Sequence, residues 1–204
     1  MNKVLLPEQQ TFRIIGVDAG SNIFGLSEFE LKYRFVNEEF ETLAKLLDFY
    51  SFKVHSGAGW SFNRRLLYVY DYFNGAFPSV EQVGYSCIAY IEDVPFARSA
   101  RTHAELNQII GAIKLPLLAK GWAVNMVNNA TWKKVVVGNG HAKKPEIREW
   151  ATGGNVPADP SEMNEDNLDA LCVGYFGVSQ LANQLRFDIT AQKTRQHLMW
   201  EPTR

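Results

Sequence analysis

Two apolar runs, each closing on an acid, constrain this chain more than anything else in it. Ile14-Ile-Gly-Val17 closes on Asp18, and Cys87-Ile-Ala-Tyr-Ile91 closes on Glu92, with Asp93 next. A short run of this kind, without polar alternation, is the pattern of a strand covered on both faces, as in a sheet flanked by helices. A third acidic set, Glu165, Asp166 and Asp169, opens a segment with helical spacing that reads as a helix to about Ala182. Taken singly, each acid has an ordinary explanation. Asp18 precedes Gly20 and suits a turn, an acid often marks the solvent end of a strand, and acids favour first helical turns. Asp166 and Asp169 stand three apart, about 60° around a helix; Glu165 and Asp169, four apart, are the alternative pair. Gathered on one rim, like charges ~4 Å apart repel by about 4 kcal/mol near a protein surface. Hard divalent cations such as Mg²⁺ or Mn²⁺ relieve that repulsion.

The rest of the chain reads as alternating strands and helices. A strand over residues 12–17 turns at Ala19-Gly20 into a second near Ile23–Phe29. Asn37 to Tyr50 has helical spacing, with Leu43, Leu46 and Leu47 on one face, and Phe52–His55 offers a third strand. Ser61 to Phe73 is predicted as a helix stopped by Asn74-Gly75. Thr102 to Ala119 is predicted as a helix with Leu106, Ile109, Ile110, Ile113 and Leu117 inward, kinked or ended early by Pro116. Ala123–Val127 supplies a fifth strand, Pro145–Trp150 a short helix, and Gly153 to Asn164 a Gly/Pro-rich loop. No repeat, linker or low-complexity tract divides the 204 residues, a length that suits one well-buried α/β domain.

No window holds the ~18 uninterrupted apolar residues of a membrane helix, and Met1 to Pro7 lacks the apolar core of a secretion signal. Cys87 and Cys172 lie inside apolar runs and read as reduced core thiols of a cytoplasmic protein. The formal net charge of −1 argues mildly against a nucleic-acid partner, but the charge is unevenly spread. Residues 93–150 carry 9 Lys/Arg against 4 Asp/Glu, whereas residues 1–92 carry 8 against 11 and residues 151–204 carry 4 against 7. The positive excess follows the second acid-tipped strand.

Four blocks carry a resemblance to the RuvC family of Holliday-junction resolvases, within the ribonuclease H-like nucleases. Gly16-Val-Asp-Ala-Gly-Ser21 with Gly25-Leu-Ser27 is similar to the family's first hairpin. Tyr90-Ile-Glu-Asp-Val94 with Ala97-Arg98 is similar to the segment of its catalytic glutamate. Lys133 to Gly140 with Ala142-Lys-Lys144 is similar to its basic stretch and active-site lysine, and Asp166-Asn-Leu-Asp-Ala-Leu171 to its closing aspartate pair. The order and spacing of all four blocks are more specific than any one of them. Actin- and sugar-kinase-like ATPases share the Asp-x-Gly opening, but they duplicate the domain and need a longer chain.

The resemblance implies a ribonuclease H-like α/β fold, a central mixed five-stranded sheet flanked by helices. It implies one nuclease domain, core about 12–184, with residues 185–204 as an extension. It selects Asp18, Glu92, Asp166 and Asp169 as ligands of two Mg²⁺ ions, replaceable by Mn²⁺, with Lys144 in the catalytic set and His141 as an alternative general acid. Lys133, Lys134, Lys143, Lys144 and Arg148, with Phe96, Arg98 and Arg101 past the glutamate, are the expected DNA contacts, Phe96 as a base-stacking wedge. The implied activity is hydrolysis of phosphodiesters at a four-way DNA junction by a homodimer in the cytoplasm of a bacterial or phage-infected cell. The alternatives are a related nuclease cutting flaps, forks or RNA–DNA hybrids, and a non-catalytic nucleic-acid binder of the same fold.

Overall fold

The computed structural model describes the chain apart from residues 1–8, 21, 37–38, 55–59, 95–98, 157, 160–161, 191–194 and 201–204, and apart from the side chains at 35–36, 39–40, 166, 186–190 and 195–200. Three antiparallel strands come first: β1 (Gln9–Ala19), β2 (Ile23–Val36) and β3 (Glu39–Lys53). Two helices follow, α1 (Phe62–Ala76) and the one-turn α2 (Val80–Val83), and then β4 (Ser86–Glu92) pairs parallel to β1. Helix α3 (Ala100–Ala119) crosses back to β5 (Ala123–Val127), which is parallel to β4. Helices α4 (Asn129–Val136) and α5 (Lys144–Trp150), a π-turn over Ala151–Asn155 and the long α6 (Glu165–Thr190) complete the core. The order β5-β4-β1-β2-β3 is the expected mixed five-stranded sheet; β6 (Arg195–Trp200), from the C-terminal extension, adds a sixth strand parallel to β3.

The sheet has an apolar layer on each face, as the uninterrupted runs require. Ile15, Val17, Cys87, Ala89 and Ile91 pack with Val69 and Phe73 of α1 and Ile109, Ile113 and Leu117 of α3. Ile14, Phe29, Leu31, Ala44 and Leu46 pack on the other side with Trp132 of α4, Ile147 of α5 and Leu168, Leu171 and Val173 of α6. Burial pushes the Cys87 thiol up to about 11 and raises that of Cys172 as well, so both are inert core thiols.

Four expectations are corrected. Where Asn37 to Tyr50 suggests a helix, residues 39–50 are part of strand β3, which continues through the expected strand at Phe52 to Lys53. Thr42, Ala44 and Leu46 are buried at period two, between half-buried Glu41, Leu43 and Lys45. Leu46 pairs with Phe29 and Asp48 with Glu28, which leaves Leu47 as the extra residue of a β-bulge, 44% exposed. The Leu46-Leu47 step that mimics a helical stripe is that bulge. Nor does Pro116 end α3 early, because the helix runs on to Ala119 with Pro116 and Leu117 buried in it. The final helix is also longer than the expected end near Ala182, and α4 lies where only a basic stretch was read.

Candidate active site

Parallel pairing of β1 and β4 sets Val17 beside Ile91, so the next residues, Asp18 and Glu92, reach the same rim together. Alternation fixes the face. Since Val17 and Ile91 point to the α1–α3 layer, Gly16, Asp18, Tyr90 and Glu92 point to α6. Asp93, the competitor of Glu92, is exposed, and its Oδ1 accepts from the amide of Val94 at 2.9 Å.

Helix α6 brings the third acid. Its start is locked by a reciprocal pair: the Asn167 amide donates to Asn164 Oδ1 at 2.9 Å, and the Asn164 amide donates to Asn167 Oδ1 at 2.8 Å. This is a capping box built from two asparagines. Arg148 Nη1 steadies the same corner by donating to the Met163 carbonyl at 3.1 Å. Further along, α6 crosses the sheet on glycines. A Cβ on Gly16 would lie 2.5 Å from the Ala170 carbonyl oxygen and nearer still to the Gly174 amide. A Cβ on Gly174 would overlap Ser27 Oγ and the Phe29 ring, and one on Gly177 the Tyr90 ring. Ser27 Oγ donates to the Ala170 carbonyl at 2.6 Å, sealing the seam. Only a sheet and helix this close bring Asp169 to the strand acids.

The result is a compact anionic cluster. One carboxylate oxygen each of Asp18, Glu92 and Asp169 lie within 4.8 Å of one another. Glu92 Oε2 and Asp169 Oδ1 are buried and accept no hydrogen bond. Buried anionic oxygens without donors are costly, and an all-carboxylate donor set suits a hard divalent ion. The donor set therefore fits Mg²⁺ or Mn²⁺. Burial holds the Glu92 carboxyl above the usual carboxylate range; the Asn129 hydrogen bond opposes that, Asp169 raises it further and Lys133 opposes again. Asn129 Nδ2 donates to Glu92 Oε1, which leaves Oε2 as the oxygen without a donor. Trp132 lowers the Glu92 value weakly through its indole N–H, although buried Nε1 has no acceptor in hydrogen-bonding geometry. Lys144 Nζ donates to Asp169 Oδ2 at 2.6 Å and to the Glu165 carbonyl at 3.2 Å.

A groove of about 660 Å³ opens beside the cluster, and Asn129, Lys133, His141, Lys143 and Lys144 line it. Lys133 Nζ stands 5.5 Å from the centroid of the Trp132 ring. Of the other expected DNA contacts, Lys134 is exposed on α4, and Arg101 pairs with Glu105 at 3.0 Å on α3. Phe96 and Arg98 lie outside the described residues, as does the side chain of Asp166, whose backbone is in the first turn of α6. Glu165, the alternative partner of Asp169, is exposed and outside the carboxylate cluster. Asn129 and Trp132 were not anticipated. Asn128-Asn-Ala-Thr-Trp132 signals a helix start, which Asn128 does cap by accepting from the Ala130 amide at 2.9 Å, but nothing in it marks Asn129 as a partner of Glu92.

The sequence pattern of the crossover junction endodeoxyribonuclease RuvC family matches residues 14–174. No curated protein matches the chain. Among solved structures, RuvC of Thermus thermophilus is similar at 18% identity, with 80% of this chain and 92% of that one covered and a TM-score of 0.61. The same protein in complex with a Holliday junction substrate gives 17% identity, 80% and 91% coverage and a TM-score of 0.62. The yeast mitochondrial Holliday junction resolvase Ydc2 gives 12% identity, 89% and 83% coverage and a TM-score of 0.53. At these identities the structures establish the fold.

Proposed function

The chain belongs to the RuvC family of crossover junction endodeoxyribonucleases, and from that premise we propose that it resolves four-way DNA junctions by metal-dependent phosphodiester hydrolysis. The observation that carries the reading is the convergence of Asp18, Glu92 and Asp169, with two buried carboxylate oxygens lacking donors, beside a lysine-lined groove.

In this reading Asp18, Glu92 and Asp169 hold two Mg²⁺ ions, and Asp166, three residues ahead on α6, joins them. When bound, such ions supply a water of lowered pKa and charge for the leaving 3′-oxygen. The protein's own groups do the rest. Asn129 keeps Glu92 in one rotamer. Lys144, now paired with Asp169, stands at the groove wall where it offsets negative charge building on the phosphate. Lys133 and Lys143 neutralise flanking phosphates, as sequence-independent backbone contacts do. A two-fold junction cut symmetrically on two strands suits a two-fold homodimer.

The test is cleavage of a labelled four-way junction in Mg²⁺ and in Mn²⁺, beside a fork, a flap and an RNA–DNA hybrid. The expected result is paired nicks on the junction, lost in Asp18→Asn with junction binding retained. Preferential cutting of the hybrid or the flap would move the protein to a different branch of the same nuclease fold. No cleavage of any substrate with either metal would sink the reading.

A further inference from the structure

Among the described residues, three buried side-chain atoms have no hydrogen-bond partner, and all three meet at the carboxylate cluster. Two are acceptors, Glu92 Oε2 and Asp169 Oδ1, and the third is a donor, Trp132 Nε1. Such orphans are rare in a folded chain, because each forfeits the hydrogen bond that water would give it. An indole N–H can only donate, and Trp132 is fully buried, so no solvent completes it. The N–H is near enough to lower the Glu92 carboxyl weakly, yet it stays out of hydrogen-bonding geometry. A donor without an acceptor thus stands beside an acceptor without a donor.

Helix α4 explains the meeting. Asn129 and Trp132 are three residues apart and share one face of it, and Asn129 already donates to Glu92 Oε1. A carboxylate held at one oxygen still swings about that bond, because its terminal torsion is soft. A donor on the other oxygen fixes its plane. Each carboxylate oxygen accepts at two lone pairs, so Oε2 can take the indole N–H and still ligate a cation. Lys133, whose Nζ is 5.5 Å from the Trp132 ring centroid, lines the basic groove, so Trp132 stands between the groove and the carboxylates. Burial of a tryptophan does not by itself orphan its nitrogen. Trp122, also buried, donates its N–H to the Pro78 carbonyl at 2.9 Å.

We propose that Trp132 is a positioning residue of the metal centre: its indole N–H closes on Glu92 Oε2 when a divalent ion is bound and fixes the plane of that carboxylate. The proposal rests on the metal-dependent reading above, and the experiment separates the two. The five tryptophans give five indole N–H signals in ¹⁵N–¹H spectra, and Trp132→Phe identifies one by its loss. On addition of Mg²⁺ that signal should move downfield, further than the other four. Calorimetry with Mn²⁺ supplies the second readout. Trp132→Phe should bind about tenfold more weakly, whereas Trp122→Phe, on the opposite face of the sheet, should bind as the wild type does. Lost packing alone would lower the melting temperature of both variants and leave both affinities unchanged. Metal binding with the Trp132 signal unmoved or displaced upfield, or an unaltered Mn²⁺ affinity in Trp132→Phe, overturns the proposal and leaves the nuclease reading in place. If Trp132→Phe does not fold, triple-resonance assignment of the wild type identifies the signal, and its movement decides. A wild type that binds neither ion defeats the metal reading, and the proposal with it.

Discussion

Replacing Glu92 with glutamine should make the metal-free protein more stable while destroying its metal centre. The Glu92 carboxylate is buried, faces Asp169 and Asp18 within 4.8 Å, and has its carboxyl held above the usual range by that burial and by Asp169. Two like charges 4.8 Å apart repel by about 3.5 kcal/mol at an effective dielectric near 20. Lys133 and Lys144 offset part of this, so about 2 kcal/mol is the expected net gain. Glutamine retains the acceptor for Asn129 and sets an N–H donor where Oε2 now lacks one. For a chain of this size the gain corresponds to roughly 4–8 °C in Tm. The pH dependence has a definite sign. A carboxyl raised in the folded state binds its proton more tightly there than in the unfolded chain, so its penalty grows as pH rises through the folded value. The advantage of Glu92→Gln in a chelator should therefore grow with rising pH and shrink as pH falls toward the unfolded carboxylate range. The assay is thermal denaturation of both proteins in EDTA and in Mn²⁺ across that interval. In Mn²⁺ the order narrows, because only the wild type gains a ligand that binds the native state. A variant less stable than the wild type in EDTA at pH 7.5, or one raised as much by Mn²⁺, would refute the reasoning.

Three more outcomes follow from the same geometry. Gly174→Ala should cost about 3 kcal/mol or more, since its Cβ would overlap Ser27 and Phe29 and lift α6 from the sheet, whereas Gly111→Ala, with nothing within 4 Å in α3, should stabilise by about 1 kcal/mol; urea unfolding measures both. Lys144→Ala should slow single-turnover cleavage at saturating protein, while Lys133→Ala and Lys143→Ala should each flatten the slope of log affinity against log salt by about 0.9; unchanged slopes would place DNA elsewhere. Asn129→Ala should weaken Mn²⁺ binding roughly tenfold by calorimetry without unfolding the protein, and an unaltered affinity would leave Asn129 with no part in holding Glu92.

Much of this was legible in the chain because it depends on residues near one another in sequence. The unbroken apolar runs of β1 and β4 specify strands covered on both sides, and the stripe of Ile109, Ile113 and Leu117 specifies the helix that covers one of them. The four family blocks carried the acids and the basic stretch. Residues 39–50 form a strand where their spacing predicts a helix, because a bulge at Leu47 sets two leucines side by side, and local spacing cannot tell a bulged strand from a helix until a partner strand supplies the register. The choice of Glu92 over Asp93 likewise waited for the sheet, since alternation says that the two diverge but not which side α6 occupies. Asn129 and Trp132 were illegible for a stronger reason. Their meaning is the approach of α4 to the end of β4, a contact between two elements that no local pattern in either of them marks. Chemistry that one element carries by itself is written in that element; chemistry made by the approach of two exists only once the fold has closed.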